Sequence, residues 1–113
     1  MGAPPVGAIV VVPFPFSDLS QTKKRPAVVL AAAARGDFIL CQITSNRYAD
    51  PLAIEITPGD VTGGLLQSTS FARPGKLFTA HDSLITKQVG VLSKPLRELV
   101  VEAVLAVIRG PSR

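Results

Sequence analysis

The apolar residues of this chain fall into short runs that proline, glycine or polar turns interrupt, and this pattern restricts most of the chain to β-strands. In the first run, β-branched residues continue through Val12, and Pro13 and Pro15 are expected to end the strand. Arg35 and Gly36 form a predicted turn between the second and third runs. The predicted strand segments are residues 6–16, 26–34, 37–44, 52–57 and 69–80.

The C-terminal segment instead has the repeat of an α-helix, because its apolar residues recur on one helical face. These residues are Leu96, Leu99, Val100, Ala103, Val104, Val107 and Ile108. Ser93 and Pro95 are typical of a helix start, and Arg109 followed by Gly110 is typical of a helix end. We therefore predict an amphipathic helix whose apolar face packs against the strands.

At 113 residues, of which 47% are hydrophobic, the chain is long enough for one domain with a substantial core. Five or more short strands followed by one helix predict a mainly β protein with a C-terminal α-helix. The architecture would be a small β-barrel or a curled antiparallel sheet that the helix closes. We expect residues 1–113 to form this single domain.

Several absences narrow the function classes. No apolar run reaches the roughly 18 residues of a membrane span, and the first 22 residues lack the Lys and Arg of a signal peptide. We therefore expect a soluble, cytoplasmic protein. The single cysteine, Cys41, cannot form an intrachain disulfide, and its apolar neighbours predict a buried, unreactive thiol. No side chains show metal-ligand spacing, so we expect neither a metal nor another cofactor.

The positive charge is concentrated in one part of the chain. Residues 20–47 contain five Lys and Arg and one acidic residue, whereas residues 48–70 contain three acidic residues and no Lys or Arg. Such a basic region suits a polyanionic partner, although ordinary surface charge that maintains solubility would produce the same composition.

Strand pairing brings one of these cations close to a hydroxyl group. If the second and third strands form a hairpin closed by the predicted turn, Ala27 lies opposite Thr44. Arg25 is then the diagonal neighbour of Thr44 on the same face, at roughly 7 Å between backbones. A register shift of one residue would place the two on opposite faces.

Two interpretations of this pair remain open. The guanidinium of Arg25 can bind two phosphate oxygens while Thr44 or Ser45 donates to another, which would make a phosphate site. Alternatively, Arg25 binds a backbone carbonyl at a strand end, and Thr44 is present for its β-propensity.

Four segments resemble, in the same order, a MazF/PemK-type toxin of a toxin–antitoxin pair, and the likeness covers nearly the whole chain. They are GAIVVVPFPFSDLSQTKKRPAVVL, FILCQITSN, GGLLQSTSFARPGKLFT and the terminal helix. The most specific part is RPAVVL followed by QITS. The resemblance implies an SH3-like barrel of the CcdB–MazF toxin fold and a homodimer. It also implies an endoribonuclease that cleaves single-stranded RNA at short sequences without a metal.

The resemblance also implies roles for individual residues. Arg25 and Thr44 correspond to the family's catalytic arginine and threonine, and Arg73 matches an arginine with an acid–base role in PemK-like members. The chain departs from the family at two positions. Ala8 stands where many members have an aspartate, and Gly75 stands where an aspartate is expected near the second arginine. We therefore expect no carboxylate base in the segment around Arg73.

The implied reaction is attack of the ribose 2′-OH on the adjacent phosphate. Cations would hold the RNA backbone, polar side chains would contact a base edge or a sugar, and an aromatic side chain would stack on a base. The candidate RNA-binding residues are Phe16, Ser17, Lys23, Lys24, Ser45, Asn46 and Arg47.

The implied partner is an antitoxin whose acidic, disordered tail competes with RNA for the same cations. Residues 51–56 and the terminal helix are candidates for the dimer surface. Two alternatives remain open. One is a CcdB-like toxin that acts on DNA gyrase rather than RNA. The other is a catalytically weak relative that only binds an antitoxin, which Ala8 and Gly75 would favour.

Overall fold

The computed structural model describes residues 3–15, 22–63 and 68–110. Within these ranges it contains seven β-strands followed by one α-helix. The elements are β1 (Ala8–Pro15), β2 (Thr22–Ala32), β3 (Asp37–Thr44), β4 (Ile54–Ile56), β5 (Val61–Thr62), β6 (Ser70–His81), β7 (Lys87–Leu92) and α1 (Lys94–Arg109). The predicted fold class, mainly β with a C-terminal helix, is confirmed.

The strands form one antiparallel sheet in the order β4-β6-β3-β2-β1-β7-β5. The two edge strands, β4 and β5, are separated in the chain only by residues 57–60. In a flat sheet these edges would lie about 29 Å apart, at about 4.8 Å per strand. The link from Ile56 to Val61 spans at most about 18 Å. The sheet must therefore curl into a nearly closed barrel, as predicted.

Each face of the curled sheet carries its own buried cluster. The helix-side core consists of Ile9, Val28, Cys41, Ile43, Ile56, Ala72, Leu92, Val100 and Val104. The opposite core consists of Ala8, Val10, Val12, Ala27, Val29, Phe38, Leu40 and Ala80. Alternate residues of the central strands contribute to the two cores, which explains why their sequences are almost continuously apolar.

Two prolines do not end β1, contrary to the prediction. Pro13 and Pro15 lie within the strand and pair with β2. The carbonyl of Val11 accepts the N–H of Thr86 at 2.9 Å, and pairing with β7 stops at Val11. Because backbone direction alternates along a strand, both prolines turn their nitrogens to this same side, beyond the end of β7. Proline is tolerated there because it withholds no ladder donor.

Two other strand boundaries differ from the prediction. Lys23 and Lys24, which precede the predicted strand over 26–34, lie within β2 and pair with β1. The segment predicted as a strand over 52–57 is extended only at Ile54–Ile56, and Leu52 is 57% exposed in the preceding turn. Only Ile54, Glu55 and Ile56 pair with β6, so this edge strand is shorter than the alternating segment.

The helix begins and ends where predicted, but its apolar face is wider than its contact with the sheet. Val100 and Val104 are buried, whereas Leu99 is 55% exposed and Ile108 67% exposed. The curled sheet covers only the central part of the helical face. Among the described residues, no helix has the length and apolar character that a membrane span requires.

We expect Val100→Ala to lower the free energy of unfolding by about 2 kcal/mol, from about 0.8 kcal/mol per buried carbon plus a cavity contribution. Ile108→Ala should change the free energy of unfolding by less than about 0.5 kcal/mol, because the side chain is already exposed. Urea unfolding of both variants tests this difference. Equal losses would contradict the observed orientation of the helix.

Candidate active site

The pairing of β2 with β3 determines where Arg25 and Thr44 lie. Ala27 pairs with Gln42, whereas Thr44 was the predicted partner, so the predicted register was wrong by two residues. Two features cause the shift. The turn takes a 3₁₀ form in which Arg35 adopts a left-handed φ of 61°, and the ladder has an irregularity between Val29 and Ala31.

A shift of two residues preserves the alternation of side chains, so Arg25 and Thr44 keep a common face. Continuing the observed register from Ala27 and Gln42 places Arg25 directly opposite Thr44, where the prediction made them diagonal neighbours. This face is the one opposite α1, since Ala27 belongs to the core on that side. We call it the site face; the side chains of Arg25, Gln42, Thr44, Phe71 and Arg73 lie on it.

Arg25 is half-buried in the middle of the sheet. It pairs with Val12 of β1, and its Nε is shielded from solvent. A partly desolvated guanidinium attracts an anion more strongly than the same group in bulk water, because the effective dielectric constant is lower. Arg25 therefore lies in a suitable place for binding a phosphate.

The hydroxyl of Thr44 takes part in a compact turn that follows β3. Its Oγ1 accepts the N–H of Asn46 at 3.1 Å, and Asn46 Oδ1 accepts the N–H of Tyr48 at 3.0 Å. Among the described residues these bonds use acceptor positions only, and they leave the O–H of Thr44 and the NH₂ group of Asn46 able to donate to a ligand. Ser45 is exposed in the same turn.

Arg73 lies on an irregular segment of β6. Cys41 pairs with Leu77 and Ile43 with Ala72, so residues 73–76 all bulge opposite the single residue Gln42. Pro74, which follows Arg73, is fully buried and anchors the bulge. Such an extra segment redirects a side chain out of the regular ladder.

A carboxylate from outside the segment around Arg73 lies beside this arginine. Asp50, in the segment between β3 and β4, places its Oδ2 3.4 Å from Arg73 Nε. Arg73 also donates to Gln42 Oε1 at 3.4 Å and to the carbonyl of Ala49 at 3.3 Å. Sequence reasoning missed Asp50 because it considered only the segment around Arg73. The Asp-Pro pair in a polar loop is a weak signal that did not identify this contact.

Arg47 also reaches the site face. Its guanidinium carbon lies 5.8 Å from the centre of the Phe71 ring, and its Nη2 lies 3.7 Å from Glu55. Phe71 is 8% exposed and pairs with Thr44. Arg47 therefore places an exposed positive charge beside Phe71, the pairing partner of Thr44.

The remaining predicted RNA-binding residues do not all lie on the site face. Lys23 and Lys24 are exposed, and strand alternation puts Lys23 on the same face as Arg25 but Lys24 on the other. Phe16 and Ser17 lie outside the described residues. Sequence reasoning also missed Tyr48, which is 87% exposed beside Asn46. An exposed ring in the turn after Thr44 can serve as a stacking surface.

Cys41 supports the site from the helix side. Its thiol donates to the backbone carbonyl of Arg73 at 3.1 Å. The pKa of Cys41 is raised from 9.0 to about 12, mainly because burial disfavours the thiolate, and the negative charge of Asp50 contributes to the rise. The predicted burial of this thiol is confirmed, and its low reactivity stays a prediction.

The chain matches a family of known proteins over most of its length. The family model described as a PemK-like, MazF-like toxin of a type II toxin–antitoxin system matches residues 6–108. No curated protein matches the chain at a significant level.

Several solved structures have the same fold, among them the following three. An endoribonuclease in complex with its cognate antitoxin, from a mycobacterial species, has a TM-score of 0.72 at 15% identity, with all of both chains covered. MazF in a MazE–MazF complex from Deinococcus radiodurans has a TM-score of 0.73 at 19% identity, covering 98% of this chain and 100% of that one. The Mycobacterium tuberculosis toxin MazF-mt6 has a TM-score of 0.68 at 15% identity, covering 93% and 99%. At these identities the likeness concerns the fold.

We expect the native thiol of Cys41 to react with an aromatic disulfide reagent roughly a thousandfold more slowly than in urea-unfolded protein at pH 8. Only the thiolate reacts, and the raised pKa keeps the folded thiol protonated. Increasing the pH from 7 to 9 should accelerate the unfolded reaction and leave the native protein nearly inert. Rapid reaction of native protein would contradict the assigned burial.

Proposed function

Because the chain belongs to the PemK-like, MazF-like toxin family of type II toxin–antitoxin systems, we propose that it is an endoribonuclease that cleaves single-stranded RNA, chiefly mRNA, at short sequences. The observation that carries this proposal is the site face, where Arg25, Thr44 and Arg73 lie on adjacent strands. Two guanidinium groups and a hydroxyl are suited to a phosphate in a chain of alternating sugars and phosphates.

The proposed reaction uses the substrate's own nucleophile. The ribose 2′-oxygen attacks the adjacent phosphorus and loses its proton, the P–O5′ bond breaks, and the 5′-oxygen gains a proton. The products are a 2′,3′-cyclic phosphate and a 5′-OH. Since nucleophile and leaving group both belong to the RNA, the reaction requires no metal-bound water, and we propose that it is metal-independent. The protein's task is to align the attack and stabilise the negative charge.

Three residues of the site face have a direct role in this proposal. Arg25 binds the phosphate oxygens on which charge develops, and the hydroxyl of Thr44 donates a hydrogen bond to one of them. Arg73 supplies a second guanidinium to stabilise the same charge. These are groups that touch the reacting phosphate, and they are therefore the proposed catalytic residues.

The turn after β3 would bind the rest of the RNA. Arg47 and Lys23 are exposed cations for the backbone, while Ser45 and Asn46 offer hydrogen bonds to a base edge or a sugar. Tyr48 would stack on a base, an interaction worth about 1–3 kcal/mol per base in single-stranded binding sites. The affinity for RNA should fall as salt rises, because counterions are released on binding.

The proposed partners are a cognate antitoxin and a second copy of the chain. An acidic, disordered antitoxin tail would cover the basic site face in the cytoplasm, where both the RNA and the antitoxin would be met. Support comes from the structural neighbours that contain a cognate antitoxin or MazE. A homodimer is supported by an apolar groove of about 660 Å³, which is lined by Leu52, Pro74, Ala103, Ala106, Val107 and Gly110.

The test is incubation of purified protein with a long single-stranded RNA in EDTA, followed by mapping of the cleaved ends. We expect a few short cut sequences with 2′,3′-cyclic phosphate ends. Arg25→Ala should lower the rate about 100- to 1,000-fold, as removal of one charge-stabilising donor typically does. Arg109→Ala, which removes the same charge from the exposed end of α1, should cleave normally.

Intact RNA with the wild-type protein, or equal cleavage by Arg25→Ala, would contradict the proposal. Trapped DNA breaks in a gyrase assay without RNA cleavage would support a CcdB-like function instead. Antitoxin binding without either activity would identify a catalytically weak relative.

A further inference from the structure

Two arginines near the site face each have a carboxylate partner, and the two pairs differ in their exposure to solvent. Arg73 faces Asp50, and Arg47 faces Glu55. The Arg73 and Asp50 side chains are only 22% and 13% exposed, whereas Arg47 and Glu55 are 59% and 55% exposed. An exposed pair is screened by water and rearranges easily. The half-buried pair is screened much less, so its geometry is held more strongly.

Arg73 is also held at all three of its nitrogens. Nε faces Asp50, Nη1 donates to Gln42, and Nη2 donates to the carbonyl of Ala49, at 3.3–3.4 Å. These distances exceed the roughly 2.7–2.9 Å of strong charge-assisted bonds, so no single contact is dominant. Together they restrict both the position and the plane of the guanidinium.

This arrangement leaves a defined part of Arg73 for a ligand. A guanidinium has five N–H donors. The contacts among the described residues use one on Nε and one on each terminal nitrogen. One N–H on Nη1 and one on Nη2 remain, which is the number that a bidentate phosphate contact requires.

The carboxylate itself is fixed from the other side. Asp50 Oδ1 accepts the N–H of Leu52 at 2.9 Å, while Oδ2 faces Arg73. Asp50 thus couples the turn before β4 to the bulge of β6. Its two oxygens face protein groups, which is the arrangement of a group that orients another side chain.

We propose that Asp50 is a positioning residue, which fixes Arg73 so that its two remaining terminal N–H groups face an RNA phosphate. This inference rests on the proposed function and deepens it. It assigns the carboxylate that supports the site to the segment between β3 and β4, rather than to the bulge that carries Arg73.

The effect of Asp50→Asn on RNA binding distinguishes a role of Asp50 in positioning Arg73 from an effect of its charge alone. Asp50→Asn removes a negative charge from a site that binds a polyanion, so electrostatics alone would tighten RNA binding. If Asp50 positions Arg73, the same change weakens binding, because the amide keeps its oxygen for the N–H of Leu52 but holds Arg73 less strongly. Glu55→Gln is the matched control, since it removes the same charge from an exposed pair on the same face.

The experiment measures binding of a 2′-O-methyl RNA oligonucleotide, which cannot be cleaved, by wild type, Asp50→Asn, Arg73→Ala and the double variant. We expect Asp50→Asn to weaken binding about 3- to 10-fold, Glu55→Gln to tighten it or leave it unchanged, and Asp50→Glu to recover part of the loss. In the Arg73→Ala background, Asp50→Asn should have no further effect. The NMR signal of the Arg73 Nε–H should exchange faster with water in Asp50→Asn.

Tighter binding by Asp50→Asn, or the same loss with and without Arg73, would overturn the inference. An unchanged Arg73 Nε–H signal would also overturn it. Because neither readout requires cleavage, these results are distinguishable from a failure of the proposed function. That failure would appear as intact RNA with wild-type protein in the cleavage assay.

Discussion

The short link between the two edge strands is the constraint on which the rest of the structure depends. Residues 57–60 join β4 to β5, which are the two opposite edges of the sheet. The link is too short to cross a flat sheet, so the sheet has to curl. The link is itself well fixed, because Asp60 Oδ2 accepts from both the N–H and the hydroxyl of Thr57 at 2.8 and 2.9 Å. The backbone carbonyl of Asp60 also accepts the N–H of Ser93 at 2.7 Å, which connects the link to the start of α1. The curl, the barrel and the position of the helix therefore follow from one connection.

In the curled sheet, the two faces of the central strands have different roles: one packs in the helix-side core and the other carries the candidate site. On β3, Cys41 and Ile43 face the helix-side core, while Thr44 lies on the opposite face. The strand that places Thr44 thus also anchors the core, and the thiol of Cys41 holds the carbonyl of Arg73 at 3.1 Å. Under the proposed function, catalytic candidates on neighbouring paired strands would need little rearrangement to meet a phosphate, whereas Tyr48 in the exposed turn would adapt to different bases.

Local sequence patterns predicted those features that local chemistry determines. The helix boundaries followed from Ser93 and Gly110, and the shared face of Arg25 and Thr44 survived a register error because that error was an even number of residues. Features that depend on distant parts of the chain were not predictable. Pro13 is tolerated because β7 begins only at Lys87, opposite Val11, and the side chain of Ile108 is exposed because the sheet contacts the central part of the helix. Asp50 could not be assigned to Arg73 from sequence, since a bulge and a turn bring them together.

We propose that the face opposite α1 binds the reacting phosphate between Arg25 and Thr44. A crystal structure with a 2′-O-methyl RNA oligonucleotide that contains the mapped cleavage sequence would test this. We expect one phosphate within hydrogen-bond distance of the Arg25 guanidinium and of Thr44 Oγ1, with the RNA running along the turn that carries Arg47. A phosphate bound elsewhere, or RNA lying across the helix side of the sheet, would contradict it.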